Sequence, residues 1–199
     1  GEVFPPFVKE KREPKRVLLI DGESTRAVLQ RDLERMMREW HEEQRQLVGS
    51  NLLLIVDAEI DSEPLALSNP KHMAQVRAEA ERFQPDLIII DTLSALFAVD
   101  DENHNAEMKR RVMQPLKNLA KDTNAAVFML HHVGKQSEEA QSGNKAYRGR
   151  GASVVGALSR LVLLLTPDKH EKGRVFLTCP KSKGPCFEDL VMKLDPDSR

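Results

Sequence analysis

Long apolar runs are missing from this chain. The longest, residues 52–56 and 161–165, fall far short of the roughly twenty residues a spanning helix needs. Residues 1–16 do not read as a secretory signal, because they are charged and carry Pro5, Pro6 and Pro14. Cysteine is scarce: Cys179 and Cys186 are the only two, and their spacing fits neither a zinc clip nor a redox pair. Two reduced thiols in a cytoplasmic protein are expected. No internal repeat is visible. Charge of one sign is also lacking. The net charge is -1, so any nucleic-acid contact must come from a local patch rather than a global basic field.

The 199 residues suit one domain with a sizeable core, and 40% hydrophobic with 31% charged residues is ordinary for a globular chain. After an irregular lead-in, residues 16–21 (RVLLID) read as a buried strand. Residues 25–45 read as one long helix with Leu29, Leu33, Met37 and Trp40 on a stripe. Strands at 51–57 and 86–91 flank a helix at 71–83, closed by Pro85. A helix at 105–122 carries Met108, Val112, Leu116 and Leu119, and Pro115 should kink or split it. A strand at 125–130 precedes a polar segment, 134–149, that reads as a mobile loop. A short helix at 153–158 then leads to strands at 161–165, 175–179 and 190–194.

The front alternates strand and helix, and its strands do not alternate in polarity. That means a parallel sheet covered on both faces. The tail is strand–turn–strand. The expected fold is α/β in three layers: a mostly parallel central sheet, helices on both faces and an antiparallel C-terminal hairpin at its edge, as one mixed sheet.

Ligands of open α/β sheets bind outside the carboxyl ends of the strands. Here those ends carry Asp21-Gly22-Glu23, Asp57, Asp91-Thr92 and His131-His132. Carboxylates and imidazoles at four strand ends suggest one shared reaction site. Residues 86–91 (DLIIID) have the Walker B pattern, an acid on a rigid buried strand that can orient magnesium or its water. The same acid could instead cap a helix or a turn.

The segments PDLIIIDTLSALFAVDDENHNAEM, LAKDTNAAVFMLHHVGK and RGASVVGALSR, at fixed distances, resemble the RepA-like hexameric replicative helicases of the RecA/DnaB/KaiC superfamily of P-loop ATPases. RVLLIDGE and the lead-in GEVFPPF are similar to the same family, so the likeness runs from near residue 1 to about Asp195. HH-x-x-K with RG-x-S is its most specific part. The resemblance implies a RecA-like ATPase core over residues 1–199 that uses ATP and Mg2+, acts on single-stranded DNA and works as a homo-oligomeric ring, expected to be hexameric. The family's phosphate loop, G-x-x-x-x-G-K-[ST], has no match here. Either that loop and its helix precede Gly1, leaving this core incomplete at its N-terminus, or the chain is a degenerate relative. The other site residues favour the first.

By resemblance, Glu23 polarises the attacking water, although an acid opening a helix is also stable there. Asp91 is the magnesium-side carboxylate, while Asp21 and Asp57 serve turns or caps. His131 and His132 stand where the superfamily keeps a γ-phosphate sensor, with His132 the better match; a core histidine satisfied by backbone is the alternative. Zinc is a poor reading for adjacent strand histidines, which point to opposite faces. Lys135, Lys145, Arg148 and Arg150 lie in or beside the polar loop that faces DNA in RecA-like motors, where cations bind phosphates without reading sequence. Glu138 and Glu139 dilute that charge, and a solvated loop is the alternative. Tyr147 is its one aromatic. Arg160, 28 residues after His132 and ten after Arg150, matches the family's arginine finger for a neighbouring subunit's nucleotide. Pairing with a local acid is the alternative. Lys181 and Lys183, in KSKGP, are similar to the K-x-R nucleotide-contacting element, with Lys183 in place of the arginine.

Two further readings compete with the motor. One is a nucleotide-independent RecA-like module that assembles or recruits partners. The other is a KaiC-like regulatory ATPase that does not translocate.

Overall fold

The computed structural model describes residues 13–56, 64–98, 104–132 and 154–193. Its order is β1 (Val17–Asp21), α1 (Arg26–Met36), α2 (Glu42–Asn51), β2 (Leu52–Val56), α3 (Pro70–Phe83), β3 (Leu87–Asp91) and α4 (Leu93–Leu96). There follow α5 (Asn105–Met108), a π-helical segment (Lys109–Met113), α6 (Gln114–Thr123), β4 (Ala126–Met129), α7 (Val154–Leu158), β5 (Leu161–Pro167), β6 (Arg174–Ser182) and β7 (Leu190–Lys193).

The first four strands form a parallel sheet in the order β2-β1-β3-β4. Register aligns Leu53, Leu18, Ile88 and Val127 in one row and Ile55, Ile20, Ile90 and Met129 in another. Both rows face the same side, because side chains two apart on a strand share a face. They join Val76 and Ala80 of α3 and Leu116 and Leu119 of α6 in one core, in which Leu18, Ile20, Ile88 and Ile90 are fully buried. The opposite row, Leu54, Leu19, Ile89 and Phe128, is only half-buried, and Phe128 is 43% exposed.

Local signals set most boundaries. Thr25 caps α1 by accepting the Val28 N–H, and Asn69 caps α3 by accepting from Lys71, with Pro70 in the first turn. Gln84 ends α3 in the left-handed region at φ 51°, just before Pro85. At Pro115 a kink or split is expected; instead the backbone stays helical through Met113 and Gln114, and a π-helical segment, Lys109–Met113, stands just before the proline.

Two expectations need correction. The single helix at 25–45 is two helices. Gln44 Oε1 accepts the His41 N–H at 3.0 Å, starting α2 afresh, and the Arg45 guanidinium binds the carbonyls of Met37 and Arg38, fixing the bend. The apolar stripe could not show this, because neither α1 nor α2 has a buried residue to set its phase. Secondly, the antiparallel strands form their own sheet, β5-β6-β7, instead of extending the parallel one. The α/β architecture, with a parallel sheet flanked by helices and an antiparallel C-terminal unit, stands. No helix among the described residues is long and apolar enough to cross a membrane.

The cysteines also depart from expectation. β6 and the turn after it fold Cys186 back onto Cys179, with Cα atoms 6.5 Å apart, and the two form a disulfide rather than two free thiols. Spacing along the chain could not reveal a contact made by a strand reversing on itself.

Candidate active site

Three neighbouring parallel strands end at one place. β1 delivers Asp21, Gly22 and Glu23, β3 delivers Asp91 and Thr92, and β4 runs into His131 and His132. Asp21 and Asp91 are register partners, and the Gly22 N–H continues the ladder by donating to the Asp91 carbonyl at 2.7 Å. Gly22 has to be small. A Cβ there would lie 2.9 Å from the Leu96 side chain of α4, so glycine lets the turn press against that helix. The Asp91–Thr92 peptide is cis.

The acids have different tasks. Asp21 is buried, and its Oδ1 accepts the N–H groups of Glu23 at 2.7 Å and Ser24 at 2.6 Å. It is a turn residue, and that turn aims Glu23. Glu23 is 46% exposed. Its Oε1 accepts the Thr92 hydroxyl at 2.7 Å and lies 3.3 Å from His132 Nε2. The Thr92 hydrogen bond, first, and then His132 hold the Glu23 carboxyl below its ordinary range, against a partial desolvation. Asp91 moves the other way: burial first, then the carboxylates of Asp21 and Glu23, push its pKa up, and His132 offsets this only in part. One cluster thus holds a readily ionised, accessible carboxylate beside one that resists ionisation.

That contrast bears on a divalent cation. No group of three or more His, Cys, Asp or Glu side chains among the described residues could by itself hold a metal. Magnesium fits such a place, since it is commonly bound through one or two carboxylates, water and substrate phosphates. A cation at Asp91 would favour its ionised form against the burial, and then the neighbouring carboxylates, that raise its pKa.

The remaining expected residues divide. His131 is half-buried and His132 exposed at the end of β4. Arg160 is exposed just before β5, and its carbonyl accepts the Lys183 N–H at 3.0 Å. Lys181 donates its ammonium to the carbonyls of Gly156 and Ala157, both at 2.7 Å, and so closes the C-terminus of α7. No hydrogen bond or ion pair among the described residues joins Arg160, Lys181 or Lys183 to Glu23 or Asp91. Asp57, Lys135, Lys145, Tyr147, Arg148 and Arg150 lie outside the described residues. Sequence reasoning missed Thr92, although a hydroxyl directly after the strand-end acid was a signal available to it.

A parallel sheet with acids converging at its carboxyl edge is the architecture of a RecA-like P-loop ATPase. Solved structures agree on the fold. A solved ATPase domain matches with a TM-score of 0.64 at 13% identity, over 92% of this chain and 72% of that one. The RadB recombinase matches with a TM-score of 0.61 at 14% identity, over 93% of this chain and 78% of that one. The DNA repair protein RadA of Streptococcus pneumoniae (strain ATCC BAA-255 / R6) is 38% identical over 80 residues, 39% of this chain. The chain spans about a fifth of that relative's length, 19%. The profile of the AAA domain family matches residues 1–138, more than half of the chain, and the chain belongs to that family.

Proposed function

We propose that this chain is the catalytic core of an ATP-driven motor on single-stranded DNA, of the replicative-helicase type, working as a homo-oligomeric ring. The observation that carries the reading is Glu23, held by Thr92 and His132 beside Asp91 where β1, β3 and β4 end together. The names of the relatives, a DNA repair protein, a recombinase and an ATPase domain, lend it support.

Glu23 orients water for attack on the γ-phosphate. It is ionised at neutral pH, accessible, and held by two donors, so its carboxylate can accept a hydrogen bond from the attacking water and orient it. Asp91 would hold Mg2+, which supplies charge neutralisation across the phosphate oxygens. His132 touches Glu23 on one side and leads into the following segment on the other, so a change at the phosphate can reach that segment through it. His131 lies beside it as a second polar group for the nucleotide. Arg160 reaches a neighbouring subunit's ATP, and Lys183 joins it at that edge. Lys181, bound to α7, positions this edge rather than acting as a free cation. Lys135, Lys145, Arg148 and Arg150 meet the DNA backbone.

The test is Glu23→Gln in the full-length protein. Nucleotide binding should persist while hydrolysis falls by on the order of a hundredfold to ten-thousandfold. Unchanged turnover would move the catalytic role elsewhere. For the DNA surface, Lys145, Arg148 and Arg150 changed together to Ala should weaken single-stranded DNA binding and flatten its salt dependence. An unaltered salt slope would remove these cations from that role.

A further inference from the structure

The Thr92 hydroxyl sits in a fully accounted hydrogen-bond arrangement. It is 3% exposed, so water does not complete its shell. Three groups surround it: Glu23 Oε1 at 2.7 Å, Ser94 Oγ at 3.2 Å and the Ala95 N–H at 3.4 Å. A hydroxyl offers one proton and two lone pairs. The Ala95 N–H can only donate, so it takes a lone pair. The Glu23 carboxylate can only accept, so it takes the proton. Ser94 is then left to donate to the second lone pair. The directions are forced by the partners, and the short bond goes to the charged one.

From this accounting we infer that Thr92 is a positioning residue for Glu23: its hydroxyl, oriented by Ala95 and Ser94, fixes the rotamer of the carboxylate that orients the attacking water. The inference rests on the catalytic reading of Glu23. It separates the two donors on that carboxylate. Thr92 is buried between β3 and α4, whereas His132 is exposed beyond the end of β4. When His132 turns to a phosphate oxygen, Thr92 keeps Glu23 in place. Lowering of the Glu23 pKa by the same hydroxyl agrees with a carboxylate held in its ionised, accepting form. Asp21, Asp91 and His132 are the other ionisable groups acting around it, and Asp21 is already committed to the turn that carries Glu23.

The rival role for Thr92 is simply to cap α4, and the experiment separates the two. Thr92→Val keeps the shape and removes both donor and cap, whereas Thr92→Ser keeps both. In the full-length protein, Thr92→Val should lower kcat by on the order of a hundredfold, the scale of a misaligned catalytic group, and leave KM and nucleotide affinity in place. Thr92→Ser should restore most of the rate. The loss of thermal stability caused by Thr92→Val should shrink in a Glu23→Ala background, because the bond is then already gone. Equal turnover in the Val and Ser variants, or a stability loss identical in both backgrounds, would overturn the inference and leave a helix cap. Coupling between Thr92 and Glu23 together with normal turnover in Glu23→Gln would instead overturn the catalytic reading, and with it any role for Thr92 in the reaction. An inactive Glu23→Gln without coupling would overturn the Thr92 inference alone.

Discussion

The two sheets of this molecule differ in what holds them. In the parallel sheet, Leu18, Ile20, Ile88 and Ile90 are fully buried under α3 and α6. In the antiparallel sheet no described residue is buried, and Leu161, Leu165 and Val191 stand about half exposed. Polar devices hold its hairpin: Asp168 accepts the His170 N–H, while Arg174 and Lys193 both reach Glu171. The parallel sheet is rigid enough to hold three acids in fixed and unequal environments. The antiparallel one presents Arg160 and Lys183 at its surface, where a second subunit could meet them. In the proposed function the acids stand on the buried scaffold and the reaching cation on the exposed one, a division of labour that experiments can break.

The sharpest break is Arg160→Ala. A finger acts on the neighbour's nucleotide, so ATP binding should persist while hydrolysis falls on the order of a thousandfold or more. Mixing Arg160→Ala with Glu23→Gln subunits should restore some turnover, because some junctions then pair an intact pocket with an intact finger. If mixed assemblies verified to contain both subunits stay inactive, Arg160 belongs to its own sheet and the contrast collapses.

Next come paired truncations. Ile90→Ala removes a fully buried side chain from the parallel core and should cost about 2–5 kcal/mol in denaturant unfolding. Leu165→Ala, at a position 58% exposed, should stay within about 0.5 kcal/mol. Similar losses at the two sites would mean that Leu165 is covered in the assembled protein.

Gly22→Ala lies between these. Its Cβ would sit 2.9 Å from the Leu96 side chain, and such overpacking costs about 1–3 kcal/mol. It should also move Glu23 and lower turnover by more than the stability loss explains. Turnover that merely tracks the folded fraction would argue against a placed Glu23.

The smallest effect is in pH. The folded-state pKa of Asp91 is raised, so the folded state binds more protons than the unfolded one just above the ordinary aspartate range. Through that window Asp91 makes stability fall as pH rises. Glu23, with its pKa lowered, does the opposite: its contribution is present above its unfolded pKa and is lost as pH falls. Asp91→Asn should therefore raise the thermal midpoint at neutral pH and remove the first slope, while magnesium-dependent turnover drops. A midpoint that falls instead would mean that neither burial nor the Asp21 and Glu23 charges penalise the ionised Asp91.

The amino-acid order was enough for what depends on neighbours along the chain. Apolar runs ending in an acid marked β1 and β3, because strands of a parallel sheet carry apolar residues on both faces and the acid comes where each strand emerges. Pro85 marked the end of α3, and Pro115 an irregularity in the helix at 105–122, through backbone sterics. The strand-end acids and histidines could be nominated because strand ends in such sheets converge, and the family resemblance singled out Glu23, Asp91 and His132 among them. Tertiary structure decided what depends on residues far apart. It separated α1 from α2, whose exposed faces left the periodicity without a fixed phase. It closed the antiparallel strands into their own sheet, since strand pairing is chosen in space. It brought Cys186 to Cys179 by reversing the chain and turned Lys181 onto the end of α7. Above all it placed Thr92 against Glu23, 69 residues away in sequence, in a hydrogen bond whose direction only the surrounding donors determine.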